Sequence, residues 1–150
     1  MAYVEASTDV REDIETVYDQ WTQFESFPEF MDAVERVTQI DDSHVRWVAR
    51  IAGRSKEWEA EIVEQVPNTR IAWAGISGAP NGGTVTFAPL GADSTRVTLR
   101  LDYEPEDWLE RAGEAMGVMQ RQVRQDLDDF KSYIESRGTA TGESRGRIAS

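Results

Sequence analysis

The stretch that decides the fold is residues 105–137, PEDWLERAGEAMGVMQRQVRQDLDDFKSYIESR. Its apolar residues recur at steps of three and four: Trp108, Ala112, Met116, Met119, Val123, Leu127, Phe130 and Ile134. This spacing places them along one side of a long α-helix. A helix with one apolar side needs a concave surface to lie in, and the residues before it alternate as strands do. We therefore predict a sheet wrapped round this helix, with a cavity between the two.

Both ends of the helix carry the residues that favour such ends. Pro105 suits a first helical position, and acidic Glu104 and Glu106 lie near the positive end of the helix dipole. Gly138 is a natural stop, and the residues after it are Gly, Ser, Thr and Arg. We predict one domain over residues 1–138 and a flexible C-terminal tail over residues 139–150.

The sequence before the helix predicts an antiparallel sheet. A first strand covers residues 3–8, and six more follow from residue 34 onwards, with alternating apolar residues and turns between them. Residues 78–83 read as a loop. Two short helices should lie between the first and second strands, one capped by Thr8 or Asp9 and one restarting at Pro28, meeting near Ser26. The fold class is therefore α+β with seven strands.

Composition limits the classes of partner. The 150 residues include 28 acidic and 16 basic side chains, which gives a net charge of -12 and disfavours nucleic acid and anionic membrane surfaces as partners. The charge fits either solubility or a high-salt cytoplasm. The chain has no cysteine, no secretory signal pattern and no apolar run of about 20 residues, so we expect a cytoplasmic protein with no integral membrane association.

Several motifs resemble one superfamily. They are VYDQW at residues 17–21, FPEFM at 27–31, WEAEI at 58–62, PNTRIAW at 67–73 and LDYEP at 101–105. Their order and spacing resemble the SRPBCC superfamily, which has the helix-grip or START-like fold, and in particular its polyketide cyclase/dehydrase and lipid-transport group. FPEFM is also similar to a stretch in START-like proteins that bind coenzyme Q. The resemblance implies the helix-grip fold and an apolar cavity, whereas activity stays open because the superfamily holds both enzymes and carriers.

Catalytic and metal-binding chemistry finds little support in the residues. The one histidine, His44, is out of phase with the apolar residues of its strand and should face solvent. No metal-ligand spacing, nucleophile elbow or phosphate loop is present. Asp102 and Glu104 come nearest to an acid–base pair, but we expect both to be solvated. We assign no catalytic residue and predict no metal and no cofactor.

The candidate site consists of inward aromatic residues and the facing helix. Five predicted wall residues lie on strands: Trp47, Trp58, Trp73, Phe87 and Tyr103. On the helix we expect the adaptable Met116 and Met119 and the small Gly117 to face them. Phe27 and Phe30 are predicted at the mouth of the pocket. The alternative for all of these residues is an ordinary filled core.

Three functions stay open at this point. The first, which we favour, is a non-catalytic container for a small hydrophobic or aromatic molecule such as a polyketide, lipid or isoprenoid. The second is a polyketide aromatase/cyclase, which would be an enzyme. The third is a stress-related interaction module that binds no ligand.

Overall fold

The computed structural model describes residues 2–31, 34–51, 54–76, 82–103 and 112–138. The strands are β1 (Ala2–Val10), β2 (Val34–Asp41), β3 (His44–Ile51), β4 (Arg54–Val66), β5 (Arg70–Ile76), β6 (Gly82–Gly91) and β7 (Ser94–Tyr103). The helices are α1 (Ile14–Trp21), a 3-10 helix (Phe24–Glu29) and α2 (Ala112–Arg137). The seven strands form one sheet in the order β1-β7-β6-β5-β4-β3-β2, and every pair is antiparallel. The predicted α+β class and helix-grip architecture are confirmed.

Helix α2 lies along β1 and runs in the same direction. The Gln120 side-chain amide donates to the carbonyl of Glu5 at 2.9 Å, and the Lys131 ammonium donates to the carbonyl of Asp9 at 2.8 Å. The first described turns of α2 therefore lie at the end of the sheet where β1 begins. Its last turns lie beside the end of β1, where the Arg11 backbone N–H donates to the Glu135 carboxylate at 2.8 Å.

The apolar side of α2 is the centre of the core. Val123, Leu127, Phe130 and Ile134 are buried, as the spacing predicts. Phe130 packs its ring 5.0 Å from that of Trp21 in α1. The predicted start of the helix at Pro105 lies outside the described residues.

The N-terminal helix begins later than predicted. Neither Thr8 nor Asp9 caps it, because β1 keeps pairing with β7 as far as Val10, which faces Thr95. The cap is Asp13, whose carboxylate accepts from the Thr16 hydroxyl at 2.6 Å and from the Thr16 backbone N–H at 3.4 Å. Thr8 and Asp9 have side chains that suit a helix cap, but pairing of β1 with β7 keeps both of them in the strand.

The second short helix also differs from the prediction. It is a 3-10 helix that already contains Ser26 and has Pro28 inside it, so the chain does not restart at the proline. The break comes earlier, at Thr22, whose backbone N–H and hydroxyl both bond to the Asp19 carbonyl, at 3.1 and 2.6 Å. These bonds occupy the carbonyl that the next turn of an α-helix would use, and α1 ends there.

A β-bulge bends the middle of the sheet. The register between β4 and β5 shifts between Ile62 and Glu64, which leaves Val63 as the extra residue. Bulges increase the local twist and bend the strand that carries them. Such a bend contributes to the curvature with which the sheet surrounds α2.

The C-terminal end of α2 confirms the role predicted for Gly138. Its φ is 73°, in the left-handed region that favours glycine, and its backbone N–H donates to the carbonyl of Ile134 at 2.8 Å. The predicted tail, residues 139–150, lies outside the described residues, and the domain boundary there stays a prediction. None of the described helices is long and apolar enough to cross a membrane.

We expect Phe130→Ala to destabilise the protein by about 3–5 kcal/mol, because it removes a fully buried ring and leaves a cavity. Urea denaturation followed by circular dichroism measures this loss. Asp128→Ala, at an exposed position of the same helix, is the matched control and should change the free energy of unfolding by less than about 0.5 kcal/mol. An unchanged midpoint for Phe130→Ala would contradict the packing of α2 described above.

Candidate ligand-binding site

Three tryptophans on neighbouring strands form a row on the inner face of the sheet. Trp47 on β3 and Trp58 on β4 are direct cross-strand partners, and their rings stack with centroids 6.1 Å apart and planes 3° apart. Trp73 on β5 lies 5.9 Å from Trp47 at 25°. Trp47 and Trp73 are buried and Trp58 is half-buried. We call these three side chains the tryptophan row.

Small residues make space for the row. Strand β4 lies between the strands of Trp47 and Trp73, yet the two rings are in contact across it. The residue of β4 that lies between the two rings on this face is the small, buried Ala60, which leaves room for them. Gly83 on β6 faces Trp73, and a Cβ atom at Gly83 would lie 2.5 Å from Cζ2 and 2.8 Å from Cε2 of that indole. The ring of Trp73 therefore occupies space that any other residue at position 83 would fill.

The row lies at one end of the sheet. Glu59, next to Trp58, faces Ile76 at the end of β5, and Gly82 at the start of β6 faces Asp102 near the end of β7. Ala2 at the start of β1 faces Tyr103. This is the end of the sheet that the first described turns of α2 approach.

Two polar groups of the row have no partner within the described ranges. The indole nitrogens of Trp47 and Trp58 are buried, and neither makes a hydrogen bond to a described residue. Leaving a buried donor unsatisfied costs about 1–3 kcal/mol. The row is thus apolar over its faces but carries two unused donors at ring edges.

One other predicted wall residue, on β6, lies elsewhere. Phe87 faces Val97 and meets the ring of Tyr18 in α1 edge-on at 5.5 Å. It is four residues further along β6 than Gly83, about 13 Å away from the level of Trp73. Phe87 thus packs under α1, at the opposite end from Trp58.

The placement of Phe27 and Phe30 at a pocket mouth was wrong. They are 0 % and 2 % exposed, because both rings pack against Trp21 in the interior at 5.4 and 5.6 Å. The ring of Phe27 also packs against that of Trp47 at 5.5 Å, so the buried aromatic cluster around Trp21 holds this end of the tryptophan row in place. Any part for these two residues in ligand binding stays a prediction.

The helix side of the site is described only in part. Gly117 is half-exposed, and a Cβ atom there would have one described neighbour within 4 Å, the Arg121 guanidinium at 3.7 Å. The side chains of Tyr103, Met116 and Met119 lie outside the described part of the structure, and their place in the wall stays a prediction.

Charged groups lie on the outer face of the sheet. Arg46, Arg50 and Arg100 are exposed and alternate along their strands with inward-facing residues. Arg46 pairs with Glu59 at 2.9 Å and Arg100 with Asp102 at 2.9 Å. Among the described residues, no group of three or more acidic or histidine side chains is placed to hold a metal ion.

The outer face also holds an open depression of about 610 Å³ that the sequence did not reveal. It is lined by Arg36, Thr38, Ile40, Asp41, His44, Arg46 and Glu59. His44 there bonds to the Asp41 carboxylate at 2.8 Å, which raises the pKa of the imidazole. The Asp41 pKa is lowered, first by the Ser43 backbone N–H and then by His44. This face is the reverse of the one that carries the tryptophan row.

Comparison with known proteins agrees with this architecture. The sequence profile described as polyketide cyclase / dehydrase and lipid transport matches residues 10–131. The chain belongs to this family. A 17.2 kDa protein encoded in the melC2-rnhH intergenic region of Streptomyces lincolnensis is 44% identical over 149 residues, covering 99% of both chains.

Two solved structures share the fold. The Zhui aromatase/cyclase from Streptomyces sp. R1128 is similar with a TM-score of 0.75 and 21% identity, over 95% of this chain and 98% of that one. A START superfamily protein from Mycobacterium smegmatis has a TM-score of 0.65 and 19% identity, over 90% and 95% of the two chains. The chain therefore has the START-like fold of these two proteins.

Gly83→Ala should displace the Trp73 indole, because the new methyl group would overlap it. We expect a shifted tryptophan emission maximum and a loss of stability of about 1–3 kcal/mol, as for other overpacked sites. Gly91→Ala is the matched control on the same strand, since a Cβ atom there meets nothing within 4 Å. Identical emission spectra for the two variants would contradict the packing of Trp73 on Gly83.

The single histidine allows a direct test of the Asp41–His44 pair. NMR titration should give His44 a pKa above its ordinary value, and Asp41→Asn should lower it, whereas Asp42→Asn should not. Because the folded-state pKa of His44 is raised, its stabilising effect is complete at pH below the unfolded value and disappears as pH rises through the folded pKa. The contribution of Asp41 is lost in the opposite direction, as pH falls through its lowered pKa.

Proposed function

We propose that this protein binds a small hydrophobic or aromatic molecule against the tryptophan row. The observation that carries the proposal is the row itself, in which strands β3, β4 and β5 place three indoles side by side on the inner face. Flat aromatic rings bind other flat rings by offset stacking and by burial of apolar surface. Membership of a family that includes lipid transport in its description supports the same reading.

The size of the ligand follows from the energy that burial provides. About 200 Å² of apolar ligand surface yields roughly 5 kcal/mol before the costs of association are subtracted. Micromolar binding needs more than this, about 8 kcal/mol net. A molecule with two or three fused rings, or a prenyl chain of similar area, therefore fits the proposal better than a single ring.

We favour a container over an enzyme. Of the two groups nearest to an acid–base pair, Asp102 is held by Arg100 at 2.9 Å, and Glu104 lies outside the described residues. Polyketide aromatase/cyclase activity is the second candidate, and the family description supports it. Conversion of a poly-β-keto substrate by the purified protein would favour the cyclase. A cytoplasmic location belongs to the same proposal.

Gly117→Leu should abolish binding while the protein stays folded. The position is half-exposed, and a Cβ atom there would meet only the Arg121 side chain within 4 Å among the described residues, so the helix accepts the larger side chain. If Gly117 faces the tryptophan row as predicted, the leucine would occupy ligand space. Isothermal titration with a panel of hydroxylated anthraquinones, prenyl quinones and fatty acids measures the affinity, and native mass spectrometry of freshly purified protein detects any ligand retained.

Gly117→Ala is the matched control for this substitution. It adds one methyl group and should raise helix stability by up to about 1 kcal/mol, with little change in affinity. If no member of the panel binds the unmodified protein, the container is excluded and an interaction module takes its place. If Gly117→Leu and the unmodified protein bind equally, position 117 does not border the site.

A further inference from the structure

The tryptophan row contains two buried hydrogen-bond donors that nothing in the described chain uses. Buried donors in folded proteins almost always have an acceptor, and an exception calls for a specific explanation. The indole N–H groups of Trp47 and Trp58 are two such exceptions on directly paired residues of adjacent strands. Both belong to the face on which the ligand is proposed to bind.

A third unpartnered indole, that of Trp21, has a different environment. Its ring meets those of Phe27, Phe30 and Phe130 at angles of 66°, 67° and 49°. Rings tilted in this way offer their π faces to an in-plane N–H group, which is a weak acceptor. The filled aromatic cluster therefore accounts for Trp21 without any ligand.

The stacked rings of Trp47 and Trp58 cannot accept each other's N–H groups on their faces in this way. Their planes differ by 3°, so the N–H group of each ring, which lies in its own plane, cannot point at the face of the other. Trp47 has tilted Phe27 as a further neighbour, at 46°. Trp58 is therefore the residue whose unused donor most directly requires an acceptor from outside the described chain.

We propose that Trp58, together with Trp47, donates indole hydrogen bonds to an oxygen acceptor of the bound ligand. The site then selects flat aromatic molecules that carry a carbonyl oxygen over hydrocarbons of the same shape. This inference rests on the proposed function and adds its specificity. Because the two residues are cross-strand partners, their side chains lie on the same face of the sheet.

The first test is a pair of probes that differ in one group. Fluorenone and fluorene are flat three-ring molecules of nearly equal area, one with a carbonyl and the other with a methylene group at the same position. Isothermal titration should show that fluorenone binds about tenfold more tightly than fluorene. The reason is that the buried indole N–H groups find an acceptor in fluorenone and none in fluorene. Equal affinities, or binding of neither probe, would overturn this inference. The container itself is decided separately by the ligand panel described under the proposed function.

The second test assigns the preference to the donors. Trp58→Phe and the double variant Trp47→Phe/Trp58→Phe keep aromatic rings but remove the N–H groups, so the fluorenone-to-fluorene affinity ratio should fall towards one. Trp73→Phe is the comparison variant. It reduces the area of the same binding wall and should weaken both probes alike, but Trp73 is not among the buried unpartnered donors, so the affinity ratio should persist. A ratio that persists in the double variant would contradict the proposal.

A measurement on the unmodified protein covers the case in which a variant does not fold. With ¹⁵N-labelled tryptophan, fluorenone should shift the indole N–H signal of Trp58 downfield, as hydrogen bonding does, and fluorene should not. Half-buried Trp58 tolerates the single substitution best, and that variant assigns the signal. A Trp58 signal that responds alike to both probes would overturn the proposal.

Discussion

A continuous series of ring contacts connects the C-terminal helix to the candidate site, and the arrangement of the inner face depends on it. Phe130 of α2 packs on Trp21 at 5.0 Å, Trp21 on Phe27 at 5.4 Å, and Phe27 on Trp47 at 5.5 Å. Trp47 then stacks on Trp58. The side chains that stabilise the helix in its sheet are thus the same ones that hold the tryptophan row in place.

This series separates the interior into two parts with different properties. Around Trp21 the rings meet at steep angles and are fully buried, which is the packing of a filled core. Towards Trp58 the rings become parallel, burial is incomplete, and two donors are unused. A ligand that enters at Trp58 would meet a preorganised wall, because Phe27 supports Trp47 from behind. Preorganisation of this kind reduces the cost of ordering side chains on binding.

The sequence predicted those features that depend on periodicity. Alternation on the strands put Trp47, Trp58 and Trp73 on one face, and helical spacing selected Val123 and Phe130 for the core. Both follow from the backbone geometry of a single element, which a sequence states directly. The resemblance of the motifs identified the family correctly.

The features that depend on pairing between distant residues were missed or wrong. Gly83 was assigned to a loop, yet it lies in β6, and its lack of a side chain is explained only by Trp73, which faces it across the sheet. Phe27 and Phe30 were predicted at the mouth of the pocket, and the structure buries both. Their burial depends on Trp21 and Phe130, about 100 residues apart in the chain. No local pattern carries such information.

Under the proposal made above, fold and specificity depend on different properties of the same residues. The fold needs the tryptophans only as large apolar side chains, and the burial of their rings would be similar for any hydrocarbon of that size. The indole N–H groups add nothing to that burial and are unfavourable to it, since two of them are left without acceptors at the end of the row. A phenylalanine at position 58 would avoid that cost. The presence of tryptophan there is explained when the missing acceptor belongs to a bound molecule, and the same donors that weaken the empty protein then determine what it binds.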